Sequence, residues 1–312
     1  MKNFIRKGKW LWIVCFIIVL SVLCVKIIGF FYRKSADTSW IEDLGFNADE
    51  LYTLKLDRTG CPLIPANIEG KTYYFNLDTG CADDVVVTNA LENKIEYTIL
   101  EQIEQLNRDG SHRGWSYGIS LEEMILLGQT YHDIDCSMID WKMSSSHKFN
   151  GLVGTALFED RIITIDYRSH MIGIREGNID YSGLSDELYA VVPMKRTQTD
   201  GQDNLVFFEC GLNDEKVIVY IDTGKNVSYI HNPESGYMIG TSMEKPDTAC
   251  VDAAIQVGNI SLDLHNIYEA NIPQYNDFEC LVALELNSDQ LLGNDIVITF
   301  DFINENVIFF KR

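Results

Sequence analysis

The sequence predicts an all-β chain built as two related halves, and three observations carry that prediction. Asp-Thr-Gly occurs twice, at Asp78-Thr79-Gly80 and Asp222-Thr223-Gly224, each time directly after an apolar, strand-like run at positions 73–77 and 217–221. Each copy is followed, at a similar distance along the chain, by two apolar residues and a glycine, Leu152-Val153-Gly154 and Leu291-Leu292-Gly293. Each half then runs into a strand ending in Asp and an aromatic, Asp166-Tyr167 and Asp301-Phe302, and closes on a short apolar run at 171–174 and 307–310. A given tripeptide turns up at roughly one position in several thousand, so two copies in matched surroundings indicate an internal duplication.

The elements follow in order. From Tyr52 the pattern is strand-rich: residues 54–56 and 63–68, a Glu69-Gly70 turn, then the strand that leads into Asp78. Alternation punctuated by turn residues indicates antiparallel sheet. Residues 88–106 differ, because Leu91, Ile95, Ile99, Ile103 and Leu106 recur at helical spacing and predict a surface helix. Asp109-Gly110-Ser111 reads as a turn, with strands near Tyr117 and over 124–127. The Gly-, Asp- and Ser-containing stretch 176–188 reads as the link between halves.

The N-terminus places Lys2, Arg6, Lys7 and Lys9 before an apolar stretch over residues 10–32 that only Lys26 interrupts. About 20 apolar residues cross a bilayer, and Lys26 can snorkel to the interface. An uncleaved anchor is expected ahead of a signal peptide or a lipoprotein signal at Cys24, which want a small-residue cleavage site that is not evident. Because positive flanks stay cytoplasmic, the rest of the chain is expected outside the cytoplasm. The organisation is therefore a basic tail and transmembrane helix over 1–34, a polar and acidic tether over 35–50, one β-lobe over 51–180 and a second over 181–312. Residues beyond 34 carry 18 basic against 46 acidic side chains, a formal charge of −28. Nucleic acid is an unsuitable partner for such a surface. Six cysteines lie in the exterior part, with Cys250–Cys280 the leading disulfide pair and free thiols the alternative. Neither cysteines nor histidines show metal-site spacing.

Two carboxylates brought together can share one proton, one acting as acid and the other as base. An ionised Asp then takes a proton from water while its protonated neighbour polarises an amide carbonyl. Asp78 and Asp222 are the candidate pair. Thr79 and Thr223 supply hydroxyls to tie the two loops together, and Gly80 and Gly224 let the backbone approach the carboxylates. An Asp-Gly turn joining strands is the bland alternative for either copy alone.

On these residues the chain, over roughly 50–312, resembles the pepsin-like and retropepsin-like aspartic proteases. Tyr117-Gly118 adds to the resemblance, standing about as far beyond Asp78 as the Tyr-Gly of that family's flap does. An ordinary strand tyrosine is the alternative. The resemblance implies two antiparallel β-barrel-like lobes related by a pseudo-twofold in one monomer, and a peptide cleft between them. It further implies an endopeptidase acting on peptide or protein substrates with no metal or organic cofactor. The family usually has Ser or Thr after Asp-Thr-Gly, whereas Cys81 and Lys225 stand here. Lys225 can face the carboxylates or turn to solvent, and a catalytically silent peptide- or protein-binding module on the same fold is the competing expectation. Gly114-Trp115-Ser116-Tyr117-Gly118 matches the nucleophile elbow of serine hydrolases, a motif with meaning only between a strand and a helix of a parallel sheet.

Overall fold

Alternating apolar residues and closely spaced turns produce strands through most of the chain, and the computed structural model is all-β. It describes residues 37–106, 112–139, 149–199, 201–237, 239 and 250–312. The expected anchor lies outside the described residues, and among the described residues no helix is long and apolar enough to cross a membrane.

The first half contributes β1 (Leu51–Thr53), β2 (Lys55–Leu56), β3 (Pro62–Ile68), β4 (Lys71–Leu77), β5 (Val85–Thr88), β6 (Thr98–Leu106), β7 (His112–Leu126), β8 (Gln129–Ile139), β9 (Gly151–Val153), β10 (Ile162–Asp166) and β11 (Met171–Arg175). The second contributes β12 (Tyr189–Lys195), β13 (Phe207–Leu212), β14 (Glu215–Ile221), β15 (Tyr229–His231), β16 (Cys250–Val257), β17 (Ile260–Ala270), β18 (Val282–Leu286), β19 (Ile296–Asp301) and β20 (Asn306–Lys311).

The duplication is visible in strand order. In the first half β3-β4-β9-β5-β8-β7 run side by side and β7 returns to pair with β3; in the second, β13-β14-β18-β15-β17-β16 do the same and β16 returns to β13. The senses match as well: β4–β9 and β14–β18 are parallel, as are β5–β8 and β15–β17. Both opening hairpins close through two residues at positive φ, Glu69-Gly70 and Asn213-Asp214, the geometry that matches strand twist. A further sheet region joins the halves in the order β1-β11-β10-β19-β20-β12, three strands from each. At its centre β10 and β19 pair antiparallel with Thr164 opposite Thr299. Every residue of both strands is buried, which is why they read as near-continuous apolar runs and not as alternation. One apolar core runs through both halves, from Leu54 and Ile64 to Phe300 and Phe309.

Four expectations are corrected. The sheets are not purely antiparallel, because the four pairings beside the Asp-Thr-Gly loops are parallel, and such pairs need long crossovers that local alternation does not encode. Residues 88–106 form no α-helix: a 3₁₀ turn at Asn89–Leu91 precedes β6. A four-residue spacing is an even number and so fits a strand pattern as readily as a helix face; in β6 a bulge after Ile99 sets Ile99 opposite Ile119 and Ile103 opposite Ser116, and both isoleucines are exposed. Residues 40–50 do not behave as a tether. Helix α1 (Trp40–Asp43) and the residues after it bury Trp40, Leu44 and Phe46 against Ile162, Val297 and Phe310, and the Trp40 indole N–H donates to Asp166 Oδ2 at 3.1 Å. Cys250 and Cys280 are both free thiols, Cys250 exposed at the start of β16 and Cys280 packed against the aromatic cluster around Phe207.

Candidate active site

Strands β4 and β14 each end in the loop that carries an aspartate, and each is held by its parallel neighbour. The Asp78 N–H donates to the Val153 carbonyl and the Asp222 N–H to the Leu286 carbonyl, both at 2.9 Å. This equivalence revises the repeat. The counterpart of Leu152-Val153-Gly154 is Glu285-Leu286-Asn287, not Leu291-Leu292-Gly293, which instead forms much of helix α2 (Ser288–Gly293). Gly154 is needed because a Cβ there would stand 2.5 Å from the Cys81 carbonyl. At the corresponding place in the second half the Asn287 N–H donates to the Ser228 hydroxyl at 2.9 Å.

The two loops are bound to each other by four reciprocal hydrogen bonds. The Thr79 N–H donates to Thr223 Oγ1 at 3.0 Å and the Thr223 N–H to Thr79 Oγ1 at 3.1 Å. The Thr79 hydroxyl donates to the Ile221 carbonyl at 2.5 Å, the Thr223 hydroxyl to the Leu77 carbonyl at 2.6 Å. Both threonines are fully buried, so these bonds have no competition from water. Each carboxyl is steadied by its own loop, through the Gly80 N–H to Asp78 Oδ1 (2.8 Å) and the Gly224 N–H to Asp222 Oδ1 (2.9 Å). Each also lies against the opposite glycine. A Cβ on Gly80 would come within 2.6 Å of all three atoms of the Asp222 carboxyl, and one on Gly224 would collide with Asp78 likewise. The structure thus brings together Asp78, Thr79, Gly80, Asp222, Thr223 and Gly224 from two distant stretches of the chain.

Both carboxyls open onto a cleft of about 530 Å³. Burial, followed by the negative charge of Asp222, raises the Asp78 carboxyl well above the usual aspartate range, against the opposing pull of the Gly80 N–H and Lys225. With Asp78 raised in this way, a proton is retained at the pair. The second-half wall of the cleft is apolar and aromatic, with Leu205, Phe207, Tyr220, Ile272 and Tyr275 lining it; Phe207 stacks on Tyr220 with ring centroids 5.1 Å apart.

Lys225 does not point away from the site. Its Nζ lies 3.6 Å from Oε1 of Glu285, a residue only 3% exposed, and both line the cleft. Burial by itself would lower the Lys225 ammonium, but Glu285, Asp222 and Asp78 together hold it above the ordinary lysine range. Burial pushes Glu285 up to about 7, Lys225 opposing and Asp222 adding to the rise. Glu285 was not found in the sequence because it sits inside the apolar run 281–286 with no motif around it. Cys81, the residue matching Lys225 in the first half, turns its thiol onto the Asp83 carbonyl at 3.5 Å, and burial raises that thiol. Cys61 supports the second loop, its Sγ 3.4 Å from the Gly224 carbonyl.

Tyr117 and Gly118 are not among the residues that line the cleft. They lie within β7, Tyr117 paired with Gln102 and Met138 and half-buried against the first-half core. The connection at the tip of the β6–β7 hairpin, 107–111, is outside the described residues. Ser116 sits in the same unbroken strand, 3% exposed, with no helix after it; the serine-hydrolase motif has none of its required setting.

Comparison with known protein families finds no family that matches this chain, and comparison with curated proteins finds no match either.

Proposed function

We propose that this chain is an aspartic endopeptidase of the pepsin-like and retropepsin-like kind, with Asp78 and Asp222 as its catalytic pair. The observation that carries the reading is the reciprocal Thr79–Thr223 lattice, which sets each carboxyl against the other loop's glycine. The duplicated strand order supports a bilobal fold with a pseudo-twofold through this lattice. The reaction begins with Asp222 taking a proton from a water held between the carboxyls, while the Asp78 O–H donates to the substrate carbonyl oxygen. Water oxygen bonds to the carbonyl carbon, giving a neutral tetrahedral diol. Asp78 then recovers a proton from that diol as Asp222 passes its own to the departing nitrogen, and the C–N bond breaks. The aromatic wall beside Asp222 suits a large apolar side chain next to the scissile bond. No organic cofactor or metal enters this scheme. The basic N-terminus and the apolar stretch after it support a single-pass anchor with the catalytic part outside the cytoplasm, acting as a monomer on peptides or proteins.

Cleavage of a peptide library by the full chain across a wide pH range tests the reading, beside Asp78→Asn and Asp222→Asn. Cleavage lost in both variants with fold retained is the expected result; substantial activity in either single variant removes the mechanism. The ammonium of Lys225 beside the pair favours a second reading, a silent peptide-binding module, since a fixed cation favours ionised carboxylate over the shared-proton state. Peptide binding without cleavage at any pH would select it.

A further inference from the structure

Because the two halves repeat one strand order, each position in one half has a control in the other. Asn76 and Leu152 pair across β4 and β9, and Tyr220 and Glu285 pair at the matching place across β14 and β18. Glu285 therefore replaces an apolar leucine, and Lys225, directly after the second Asp-Thr-Gly, replaces Cys81. The two replacements meet in space, Nζ to Oε1 at 3.6 Å. Oε1 of Glu285 has no hydrogen-bond partner, the ammonium lying just beyond hydrogen-bond reach, and Glu285, Lys225 and Asp222 line one cleft. A charge pair thus stands beside the second aspartate and has no counterpart beside the first.

We propose that Glu285 and Lys225 work as one unit that holds Asp222 in place and sets the proton occupancy of the aspartate pair, which makes Glu285 a positioning residue for the proposed hydrolysis. The proposal rests on the protease reading for its consequence and on the geometry for its existence. A buried carboxylate without a cation would be driven to bind a proton, and the partly exposed Lys225 ammonium without a carboxylate would pull the proton off the pair. Above about pH 7, where Glu285 is ionised, the two leave the net charge at the site unchanged while filling the space beside Asp222. The charged and titratable groups facing this cluster are Asp78 and Asp222 from the two loops, Tyr220 from β14 and Tyr229 from β15. Tyr237 faces Lys225, and the Cys61 and Cys81 thiols face the two aspartates. Tyr220, Tyr229 and the two thiols carry no charge near neutral pH, since each is raised. The Glu285–Lys225 pair is thus the principal source of added charge at the aspartates.

The test compares Glu285→Leu, Lys225→Met and the double variant in the full chain, reading both the pH profile of cleavage and the carboxyl titrations by 13C NMR. Glu285→Leu leaves the ammonium unopposed, so the aspartate pair should lose its proton about one pH unit earlier and the basic limb should move acid. Lys225→Met should move both readings the other way, and the double variant should return close to wild type and be more stable than either single one. Glu285→Gln gives the same acid shift if Glu285→Leu does not fold. Displaced NMR midpoints in a protein that cleaves nothing would keep the proposal and sink the protease reading. An active enzyme whose midpoints and pH limbs are the same in all variants would overturn the proposal and leave the protease reading standing.

Discussion

Replacing Thr79 with valine keeps the shape of the side chain and removes one hydroxyl. That hydroxyl accepts from the Thr223 N–H at 3.1 Å and donates to the Ile221 carbonyl at 2.5 Å. Thr79 is 1% exposed and Thr223 is 0% exposed, so water cannot take over either role. Each buried group left without a partner costs about 1–3 kcal/mol, giving about 2–5 kcal/mol for the pair after some relaxation. At ~2–4 °C per kcal/mol for a chain of this size, the midpoint of thermal unfolding should fall by about 4–20 °C. Cleavage should fall as well at temperatures where the variant is fully folded, because the lost bonds fix the distance between Asp78 and Asp222. Thr223→Val should behave alike, through the Thr79 N–H and the Leu77 carbonyl, and Thr79→Ser should recover most of both losses. Circular dichroism of the full chain in detergent, beside peptide cleavage, reads the two effects. A Thr79→Val protein with the unfolding midpoint of wild type and undiminished activity would refute the lattice as the element that aligns the site.

Other outcomes follow from the same geometry. Thr164 and Thr299 share a buried hydroxyl–hydroxyl bond of 2.7 Å, so either valine variant alone should cost about 1–3 kcal/mol and the double variant much less; chemical denaturation of the three proteins checks this, and additive losses would contradict it. Asp78 is raised by burial and by Asp222, so the stability it contributes is full below the unfolded carboxyl value of ~3.9 and is lost as pH rises through its folded value. Asp78→Asn should therefore match wild type in stability near pH 3 and exceed it at neutral pH while abolishing cleavage; unfolding curves whose difference does not grow with pH would count against the shared proton. Gly80→Ala should destabilise the chain and stop turnover, since its Cβ lies within 2.6 Å of the Asp222 carboxyl; a stable, active Gly80→Ala protein would show that the carboxyls are not so closely set.

The sequence by itself carried the duplication, the predominance of strands, the two aspartates and the four residues that support them. All of these are signalled by contiguous residues: a tripeptide, an apolar run, a turn pair such as Glu69-Gly70. What it misjudged depends on pairing through space. The spacing of Leu91, Ile95, Ile99 and Ile103 fits both a helix face and a strand face, and only the antiparallel partner β7 made residues 98–106 a strand. Leu291-Leu292-Gly293 resembled the first-half motif in composition, but the parallel register of β14 with β18 assigns that place to Glu285-Leu286-Asn287. Lys225 was visible as an anomaly whose direction no local pattern could give. Its partner, Glu285, is far along the chain and surrounded by apolar neighbours. A charge inside an apolar strand is intelligible only when the group that neutralises it is known, and tertiary structure alone supplies that, because the energy of a buried ion depends on what lies within a few ångströms and not on what lies beside it in the chain.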